Sequence, residues 1–358
     1  MYDFTPLLES FRLYLENHLG QGWANLVIWT LVIVAFLAIY AILGLVLVYV
    51  ERRICAFFQL RLGPNRVGWK GIFQTVADAI KLLLKEPVTL EKADKLLYNL
   101  APFIISLAAI MVLGMIPFAK GLHAFDINIG LLFIIAISSI GVVGILLAGW
   151  SSNNKYALIG AMRSGAQIVS YELSVGLSLL TMVLLTGTLQ LSGIIESQAN
   201  GWWIFKGHVP AIIAFFLYLT ASIAEINRGP FDLPEAESEL TAGFHTEYSG
   251  LKFAFFFLAE FVNMFTVAAV ATTVFLGGWM PFHIGDWAGF NQIMDFVPPI
   301  LWFLIKVSAV IFLMMWFKWT FPRLRIDQLL QLEWKYLLPL NLMNLILTAV
   351  LVYLGWHF

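Results

Sequence analysis

The chain has 358 residues, of which 60% are hydrophobic and only 12% are charged, and its mean hydropathy is +0.85. Soluble domains carry about 25% charged residues, so this composition excludes an ordinary soluble domain and is typical of a membrane protein with several spans. The single cysteine, Cys55, excludes a disulfide within the chain and an iron–sulfur cluster held by this chain alone.

The six histidines lie in loops or near the ends of apolar runs. Neither a membrane haem held by two histidines nor a metal site is therefore expected, and electrons would have to come from a partner or a dissolved carrier. The first 20 residues lack a basic start followed by an apolar core, so no cleavable signal peptide is predicted. The first long apolar run is expected to act as an uncleaved anchor.

Eight apolar runs are long enough to cross about 30 Å of hydrocarbon as helices. They cover approximately residues 23–50, 97–118, 127–150, 164–190, 207–226, 253–278, 298–320 and 336–356. No internal repeat is evident, so one domain is expected over residues 1–358. The predicted fold class is an all-α integral membrane protein with about eight transmembrane helices, an amphipathic cytoplasmic helix and a structured acidic cytoplasmic loop.

Lys and Arg are concentrated in alternate connections between these runs. The segments after the first, third, fifth and seventh runs, with their flanks, hold 17 of the 21 basic residues. The positive-inside rule then predicts that both termini lie on the outer side of the membrane. The predicted cytoplasmic connections are approximately residues 51–96, 151–163, 226–252 and 321–335.

The first of these connections begins with the basic stretch ERRICAFFQLRLGPNRVGW, which contains a Gly-Pro-Asn turn. In the sequence that follows, polar and apolar residues alternate at helical spacing, so that Asp78 and Lys81 share one face and Val76 and Ile80 the other. This segment is too short and too charged to span the membrane. It predicts a helix that either lies along the interface as a lipid anchor or covers a cavity.

The third of these connections carries a dense group of acids. The stretch EINRGPFDLPEAESELTAGFHTEYSG, residues 225–250, holds six of the 22 acidic residues of the chain and one of the 21 basic ones. Asp232 fits a helix cap with Glu235 three residues later, which predicts a short helix that reaches Ala242 and ends at Gly243.

Within that predicted helix, Glu235 and Glu239 would share a face and Glu237 would point elsewhere. Carboxylates this close disfavour joint ionisation and titrate as a set, as a proton-accepting site requires. A solvated acidic loop, or a docking surface for a basic partner, fits the same spacing.

Charged residues also occur within the apolar runs. Glu172, Glu260 and Lys306 lie inside the fourth, sixth and seventh runs, and Glu225 closes the fifth. Each such charge costs roughly 2.5–3.5 kcal/mol on insertion scales, and ionisable residues in spans mark ion pathways. One alone would fit a structural ion pair. Together with the acidic stretch they predict a proton path that begins at its cytoplasmic mouth.

Changing Glu235, Glu237 and Glu239 together to Gln should then abolish proton-coupled activity. The altered protein should remain in the membrane. Unchanged activity would contradict the predicted path.

Four stretches, one in each predicted cytoplasmic connection, resemble a known family. They are ERRICAFFQLRLGPNRVGWKGIFQTVADAIKLLLKEP, GWSSNNKYALIGAMRSGAQIVSYE, NRGPFDLPEAESELTAGFHTEYSG and PRLRIDQLLQLEWKYLLPL. In this order they are similar to the H-subunit family of bacterial respiratory complex I, the NADH-quinone oxidoreductase, whose mitochondrial counterpart is subunit 1. Eight spans is also that family's number.

The resemblance implies a subunit that binds no cofactor of its own. Such a subunit forms the membrane end of a chamber for quinone, the substrate, while FMN and iron–sulfur clusters lie in partner subunits. The implied partners are the peripheral-arm quinone-site and iron–sulfur subunits, small membrane subunits and antiporter-like subunits. The implied location is the bacterial inner (plasma) membrane, and the implied role is to couple quinone reduction to proton pumping.

The resemblance also implies roles for individual residues. It places at the quinone chamber Arg52, Arg61, Asp78, Lys81, Arg228, Phe231 and Asp232. It places in proton coupling Glu172, Glu225, Glu235, Glu237, Glu239, Glu247, Glu260 and Lys306. Tyr156 and Arg163 also match family positions. No catalytic residue in the strict sense is expected, because electron delivery and final protonation of the quinone would use neighbouring subunits.

Two alternatives stay open at this point. A homologous subunit of a ferredoxin-fed or hydrogenase-type redox-driven ion pump would share the fold and some of the charges, although the full acidic stretch and the Arg-Leu-Gly-Pro-Asn segment favour a quinone-reducing member. A stand-alone secondary transporter often shows internal repeats and helices broken at the midplane, and neither is evident here.

Overall fold

A computed structural model describes residues 3–199, 201–233, 242–283 and 287–355. In chain order its helices are α1 (Thr5–Leu19), α2 (Gln21–Phe58), α3 (Gln74–Leu84), α4 (Lys95–Met115), α5 (Gly130–Ser151), α6 (Lys155–Thr186), α7 (Leu191–Glu196), α8 (Trp203–Lys206), α9 (His208–Glu225), α10 (Gly250–Phe275), α11 (Ala288–Asp295), α12 (Pro299–Thr320) and α13 (Ile326–Tyr353). The described ranges contain no β-strand.

Eight of these helices are long and apolar enough to cross a membrane, namely α2, α4, α5, α6, α9, α10, α12 and α13. This confirms the predicted all-α membrane fold and the number of spans. The inner helix α10 packs against α2, α4 and α12, while α6 packs against α5, α9 and α13. These two helices therefore organise the interior of the bundle.

The spanning helices extend beyond the apolar runs from which they were predicted. α2 continues to Phe58, α6 begins at Lys155 and α13 begins at Ile326. The predicted connections 51–96, 151–163 and 321–335 are therefore partly helical. Hydropathy marks only where apolar side chains end, whereas a helix continues until a cap stops it. The side chain of Asn154 supplies such a cap for α6 by accepting from the backbone N–H of Tyr156 at 2.9 Å.

The connections after the first, third, fifth and seventh spans meet at one end of the bundle, here called the basic end. The contacts that join them are Asp94 N–H to Ser151 O at 3.2 Å, Val88 N–H to Ser249 Oγ at 3.0 Å and Leu324 N–H to Pro230 O at 3.1 Å. The remaining connections meet at the opposite end, where Leu131 N–H donates to Leu189 O at 3.0 Å. The alternate sorting of basic residues in the sequence therefore corresponds to two physical ends.

The amphipathic helix predicted near Asp78 is α3. It is tied to α2 at the basic end by an ion pair between Asp78 Oδ2 and Arg52 Nη1, 2.5 Å apart. The helix predicted from Asp232 to Ala242 falls largely on residues 234–241, which lie outside the described residues. A short 3₁₀ turn, Gly243–His245, follows them.

Candidate functional site at the basic end

Four charged side chains meet inside the basic end and form what we call the charged cluster: Glu51, Arg228, Glu260 and Lys318. Glu51 accepts from Arg228 Nη1 through Oε2 at 2.6 Å and from Lys318 Nζ through Oε1 at 2.6 Å. Arg228 Nε lies 2.8 Å from Glu260 Oε1. Two acids and two bases therefore neutralise one another where a single buried charge would be expensive.

Local helix geometry explains why these residues point inward. Glu51 is only 8% exposed and lies on the buried face of α2 with Val48 and Cys55, whereas the neighbouring Arg52 is exposed. Arg228 follows α9 in a turn and is 4% exposed. Its guanidinium carbon lies 4.3 Å from the centroid of the Phe261 ring, a cation–π contact that helps to hold a desolvated cation.

A pocket, here called the basic-end pocket, opens beside the charged cluster. The cluster, Arg52 and Arg61 line its charged side, and Phe257, Phe261 and Trp319 line its apolar side. Arg61 Nη2 lies 3.8 Å from the Sγ of Cys55. The pocket thus combines an apolar wall with several cationic donors.

A second space, here called the inner cavity, lies between α4, α5, α6, α9 and α10. Its walls are mostly apolar, and its polar lining includes Glu225, His245, Glu260 and Asn263. Glu260 and Phe257 line both spaces. Glu260 is therefore an acid that reaches the basic-end pocket on one side and the inner cavity on the other.

Of the acids that line the inner cavity, Glu225 also neighbours a further acid, Glu172. Glu225, at the end of α9, interacts electrostatically with Glu172 and hydrogen bonds to Ser138. Glu172 itself accepts from the Ser139 hydroxyl of α5. The structure thus places Glu225 beside Glu172, and Glu225 and Glu260 line the same cavity.

Of the residues expected at a quinone chamber, Arg52, Arg61 and Arg228 line the basic-end pocket and Asp78 holds Arg52. The other three lie elsewhere. Lys81 is exposed on α3 beside a shallow depression. Phe231 is buried with its ring centroid 5.9 Å from that of Tyr171, and Asp232 accepts from Arg323 through its backbone carbonyl.

Of the residues expected in proton coupling, Lys306 does not join the acids. Its Nζ donates to the carbonyls of Leu276, Gly278 and Met280 at 2.6, 3.0 and 2.6 Å, after the last turn of α10 at the opposite end. It also lies 4.2 Å from the Trp202 ring centroid. These contacts satisfy the ammonium group and close the end of α10.

Glu247 holds loops together at the basic end. Its carboxylate accepts from Asn154 Nδ2, and its backbone carbonyl accepts from the Tyr98 hydroxyl at 2.8 Å. Tyr156 is exposed on α6 and Arg163 is half-buried on the same helix. Glu235, Glu237 and Glu239 lie outside the described residues.

Sequence reasoning missed Glu51 and Lys318, which form half of the charged cluster. Both lie at the ends of spanning helices, where the apolar runs end. Extending α2 by two turns would have placed Glu51 on the inward face, three residues after Val48 and four before Cys55. Lys318 had no comparable signal, because three of the four residues nearest to it in the sequence are aromatic.

Among the described residues that line the inner cavity, His245 is the one titratable group outside the spanning helices. Its ring packs against Phe244 and Phe253, with centroid distances of 4.9 and 5.3 Å. Desolvation lowers the pKa of His245 to about 4, so its imidazole is neutral at physiological pH. A neutral imidazole has one donor and one acceptor nitrogen.

The described residues contain no group of three His, Cys, Asp or Glu side chains that could hold a metal ion. The model of the NADH dehydrogenase family matches residues 30–349. The chain belongs to the NADH dehydrogenase family. This confirms the family resemblance of the four basic-end stretches.

Two relatives show how far the likeness to this NADH dehydrogenase family extends. The H subunit of the NADH-quinone oxidoreductase of Bacteroides fragilis is 59% identical over 358 residues, which is the whole of both chains. The H subunit of the Brevibacillus brevis enzyme is 49% identical over 323 residues, covering 90% of this chain and 93% of the relative. The first of these matches includes all eight spans, and the charged cluster also lies within the family match.

Proposed function

We propose that this chain is the membrane subunit of a proton-translocating NADH:quinone oxidoreductase. In this function it forms the quinone-binding chamber together with a peripheral arm, and it couples quinone reduction to proton translocation. The relatives' shared name supports the reaction. The observation that carries the coupling role is the position of Glu260, which lines both the basic-end pocket and the inner cavity while it is paired with Arg228.

The basic-end pocket suits a quinone because a quinone has a polar head and a long apolar tail. Phe257, Phe261 and Trp319 offer an apolar wall to the ring or the first part of the tail. Arg52 and Arg61 offer donors that can bind carbonyl oxygens. The cations also favour the negative charge that develops on a quinone before it takes up its two protons.

Coupling follows because Arg228 lines the basic-end pocket and is also paired with Glu260. A negative charge that develops in the basic-end pocket attracts Arg228 and so weakens its pairing with Glu260. A buried carboxylate that loses its cation takes up a proton, and the inner cavity offers a path from Glu260 to Glu225 and Glu172. In this proposal the acids Glu235, Glu237 and Glu239, as the family resemblance implies, deliver protons to the same path.

The proposed assembly supplies what this chain lacks. FMN and iron–sulfur clusters reside in partner subunits, and quinone is the substrate. Antiporter-like and small membrane subunits adjoin the bundle. The proposed location is the bacterial inner membrane, with the basic end in the cytoplasm, under the peripheral arm, and both termini on the outer side. Phe231 and Asp232 belong to the loop that would face the peripheral arm. Lys81 lies on the amphipathic helix α3, which would also lie at the quinone chamber.

The test is purification of the tagged chain with its native partners from gently solubilised membranes. We expect an assembly that contains flavin and iron–sulfur clusters, oxidises NADH and reduces quinone. In vesicles, Glu260→Gln should assemble but lose most of its proton pumping and coupled turnover. Glu196→Gln, an exposed acid of α7, is the matched control and should behave as the wild type.

Three outcomes would contradict parts of the proposal. An assembly without an NADH-oxidising module would reassign the electron donor to a ferredoxin or a hydrogenase partner. Full pumping by Glu260→Gln would remove the coupling role of the shared acid. A chain that is isolated alone and transports ions in liposomes would exclude the whole assignment.

A further inference from the structure

The helix α6 carries a continuous row of buried polar residues on a face next to the one that lines the inner cavity. Gln167, Tyr171, Ser174, Ser178 and Thr181 follow one another at spacings of four, three, four and three residues, and none is more than 1% exposed. This spacing places them on one side of the helix. We call this row the α6 seam. Its 14-residue length corresponds to about 21 Å, most of the thickness of a bilayer core.

A second polar row faces it from α13. Glu333, Asn341, Asn344 and Thr348 are all at most 4% exposed, and Glu333 is completely buried. Glu333 lies in a π-helical turn, Leu332–Leu337, a local irregularity that occurs frequently at functional sites. We call this row the α13 face.

Direct contacts show that the two rows meet. The Ser174 hydroxyl donates to Glu333 Oε1 at 2.5 Å, and the Tyr171 hydroxyl donates to the carbonyl of Leu329 at 2.9 Å. Asn344 Nδ2 donates to Pro210 O of α9 at 3.0 Å. The polar rows are therefore enclosed by α6, α9 and α13 and are not exposed to lipid.

The rows hold several polar atoms that no protein group satisfies. In the part of the chain that the structure describes, Glu333 Oε2, Gln167 Oε1, Asn344 Oδ1 and both amide atoms of Asn341 are buried and have no hydrogen-bond partner. Buried polar atoms are nearly always hydrogen bonded, to protein or to ordered water. Five orphaned atoms along one interface therefore point to internal waters.

Helix–helix adhesion explains these rows less well. Polar residues that hold membrane helices together bond across the interface. Here Ser178 and Thr181 instead donate to carbonyls of their own helix, at 2.8 and 3.0 Å, and the Asn341 amide has no partner among the described residues. Glu333 also contributes little to holding the helices together. Its carboxylate accepts from one hydroxyl, and among the described residues no cation contacts its second oxygen.

The rows connect the two ends of the bundle. Near the basic end, Gln167 Nε2 donates to the carbonyls of Phe231 and Ala224, each at 2.8 Å. Thr181 and Thr348 lie toward the opposite end, because α6 and α13 both run from the basic end. This course is separate from that of Glu172, which faces α5 and lies about 160° around α6 from Ser174.

We propose that internal waters fill the space between the α6 seam and the α13 face, and that Glu333 exchanges a proton with these waters during turnover. In each exchange a water-borne proton binds Glu333 Oε2 and later returns to a water, so no bond other than O–H is made or broken. The bundle then contains a second proton path beside that of Glu172, Glu225 and Glu260. This inference rests on the proposed function in one respect: quinone reduction is the event that drives the proton exchange at Glu333.

The first test is infrared difference spectroscopy of the whole purified complex, reduced minus oxidised, in H₂O and in D₂O. We expect a carboxyl band that shifts in D₂O, disappears in Glu333→Gln and persists in Glu196→Gln. The Glu333→Gln complex should also lose proton pumping while its quinone reduction with a protonophore is retained. Difference spectra and pumping identical to the wild type would overturn the proposal.

The second test examines the wild-type complex alone. A cryo-EM map that resolves ordered water should show density within hydrogen-bonding distance of Glu333 Oε2 and of the Asn341 amide. A dry interface would overturn the proposal even if Glu333→Gln failed to assemble. A dry interface would overturn the proposal equally in a complex that does not reduce quinone. Failure of this inference can therefore be distinguished from failure of the proposed function.

Discussion

At the scale of single residues, Arg228 determines the character of the site. It is buried, contacts Glu51 and Glu260, and rests on the ring of Phe261. Removing one member of a buried ion cluster leaves an uncompensated charge, which is far worse than removing all members together. The same property makes the cluster responsive, because a new negative charge in the basic-end pocket competes with Glu51 and Glu260 for Arg228.

Glu51→Gln should destabilise the bundle by about 3–5 kcal/mol, because Arg228 and Lys318 lose the carboxylate that both contact at 2.6 Å. Thermal unfolding of the purified complex measures the effect. Glu16→Gln breaks an exposed pair with Arg12 and serves as the control, with an expected change below about 1 kcal/mol. The double change Glu51→Gln with Lys318→Met should recover part of the loss, and failure to recover would argue against a charge effect.

His245 predicts a pH dependence with a defined sign. Desolvation lowers the pKa of His245 to about 4 in the folded protein, whereas an exposed histidine has a pKa near 6.5. Between these values the unfolded chain binds a proton that the folded chain does not, so stability falls as pH falls from 6.5 to 4. The loss amounts to at most about 3 kcal/mol.

The measurement is the melting temperature of the complex from pH 7 to pH 4, for the wild type and His245→Gln. The wild type should lose more stability than the variant over this range. Equal slopes would mean that His245 is solvated and titrates normally.

At this scale the sequence alone predicted the charges inside spans but not their partners. Glu172, Glu225 and Glu260 were recognisable because an acid in an apolar run is conspicuous. Lys306 was equally conspicuous, yet it caps α10 at the other end of the bundle. A one-dimensional pattern cannot tell a charge that faces another charge from one that faces backbone carbonyls.

At the scale of elements, small residues set how closely the spanning helices approach. A Cβ atom at Gly149 of α5 would lie 2.3 Å from the Cβ of Ala161 and 2.7 Å from the carbonyl of Ala157, both on α6. Such close approach is a common way to pack membrane helices, because lipid tails are as apolar as leucine and good packing must supply the energy.

Gly149→Ala should therefore push α5 away from α6 and destabilise the bundle by about 1–3 kcal/mol, the usual effect of overpacking. Thermal unfolding of the complex measures it. Gly176→Ala on α6 is the matched control, because a Cβ there meets nothing within 4 Å. An alanine in open helical space should be neutral or stabilise by up to about 1 kcal/mol. Equal effects of the two changes would contradict the close contact.

At the scale of the whole molecule, the basic and opposite ends are built from alternate connections, so an even number of spans returns the chain to the side where it began. Nine of the basic residues lie in residues 51–96 alone. The positive-inside rule then predicts that the basic end faces the cytoplasm.

The single cysteine makes this orientation easy to measure. In a Cys55→Ser background, Lys120→Cys marks the opposite end and Lys92→Cys the basic end, and both positions are exposed. A membrane-impermeant maleimide should label Lys120→Cys in spheroplasts. It should label Lys92→Cys only in inverted vesicles from which peripheral subunits have been washed. The reverse pattern would invert the proposed orientation.

The sequence by itself determined the membrane class, the eight spans, the two ends and the family, because these depend on the length and polarity of local segments and on long motifs. Only the tertiary structure decided which charges meet. Glu51 and Lys318, which join Arg228 in the charged cluster, are 267 residues apart in the sequence. Ser174 of the α6 seam and Glu333 are 159 residues apart. Such partnerships depend on helix rotation and packing, which hydropathy does not encode.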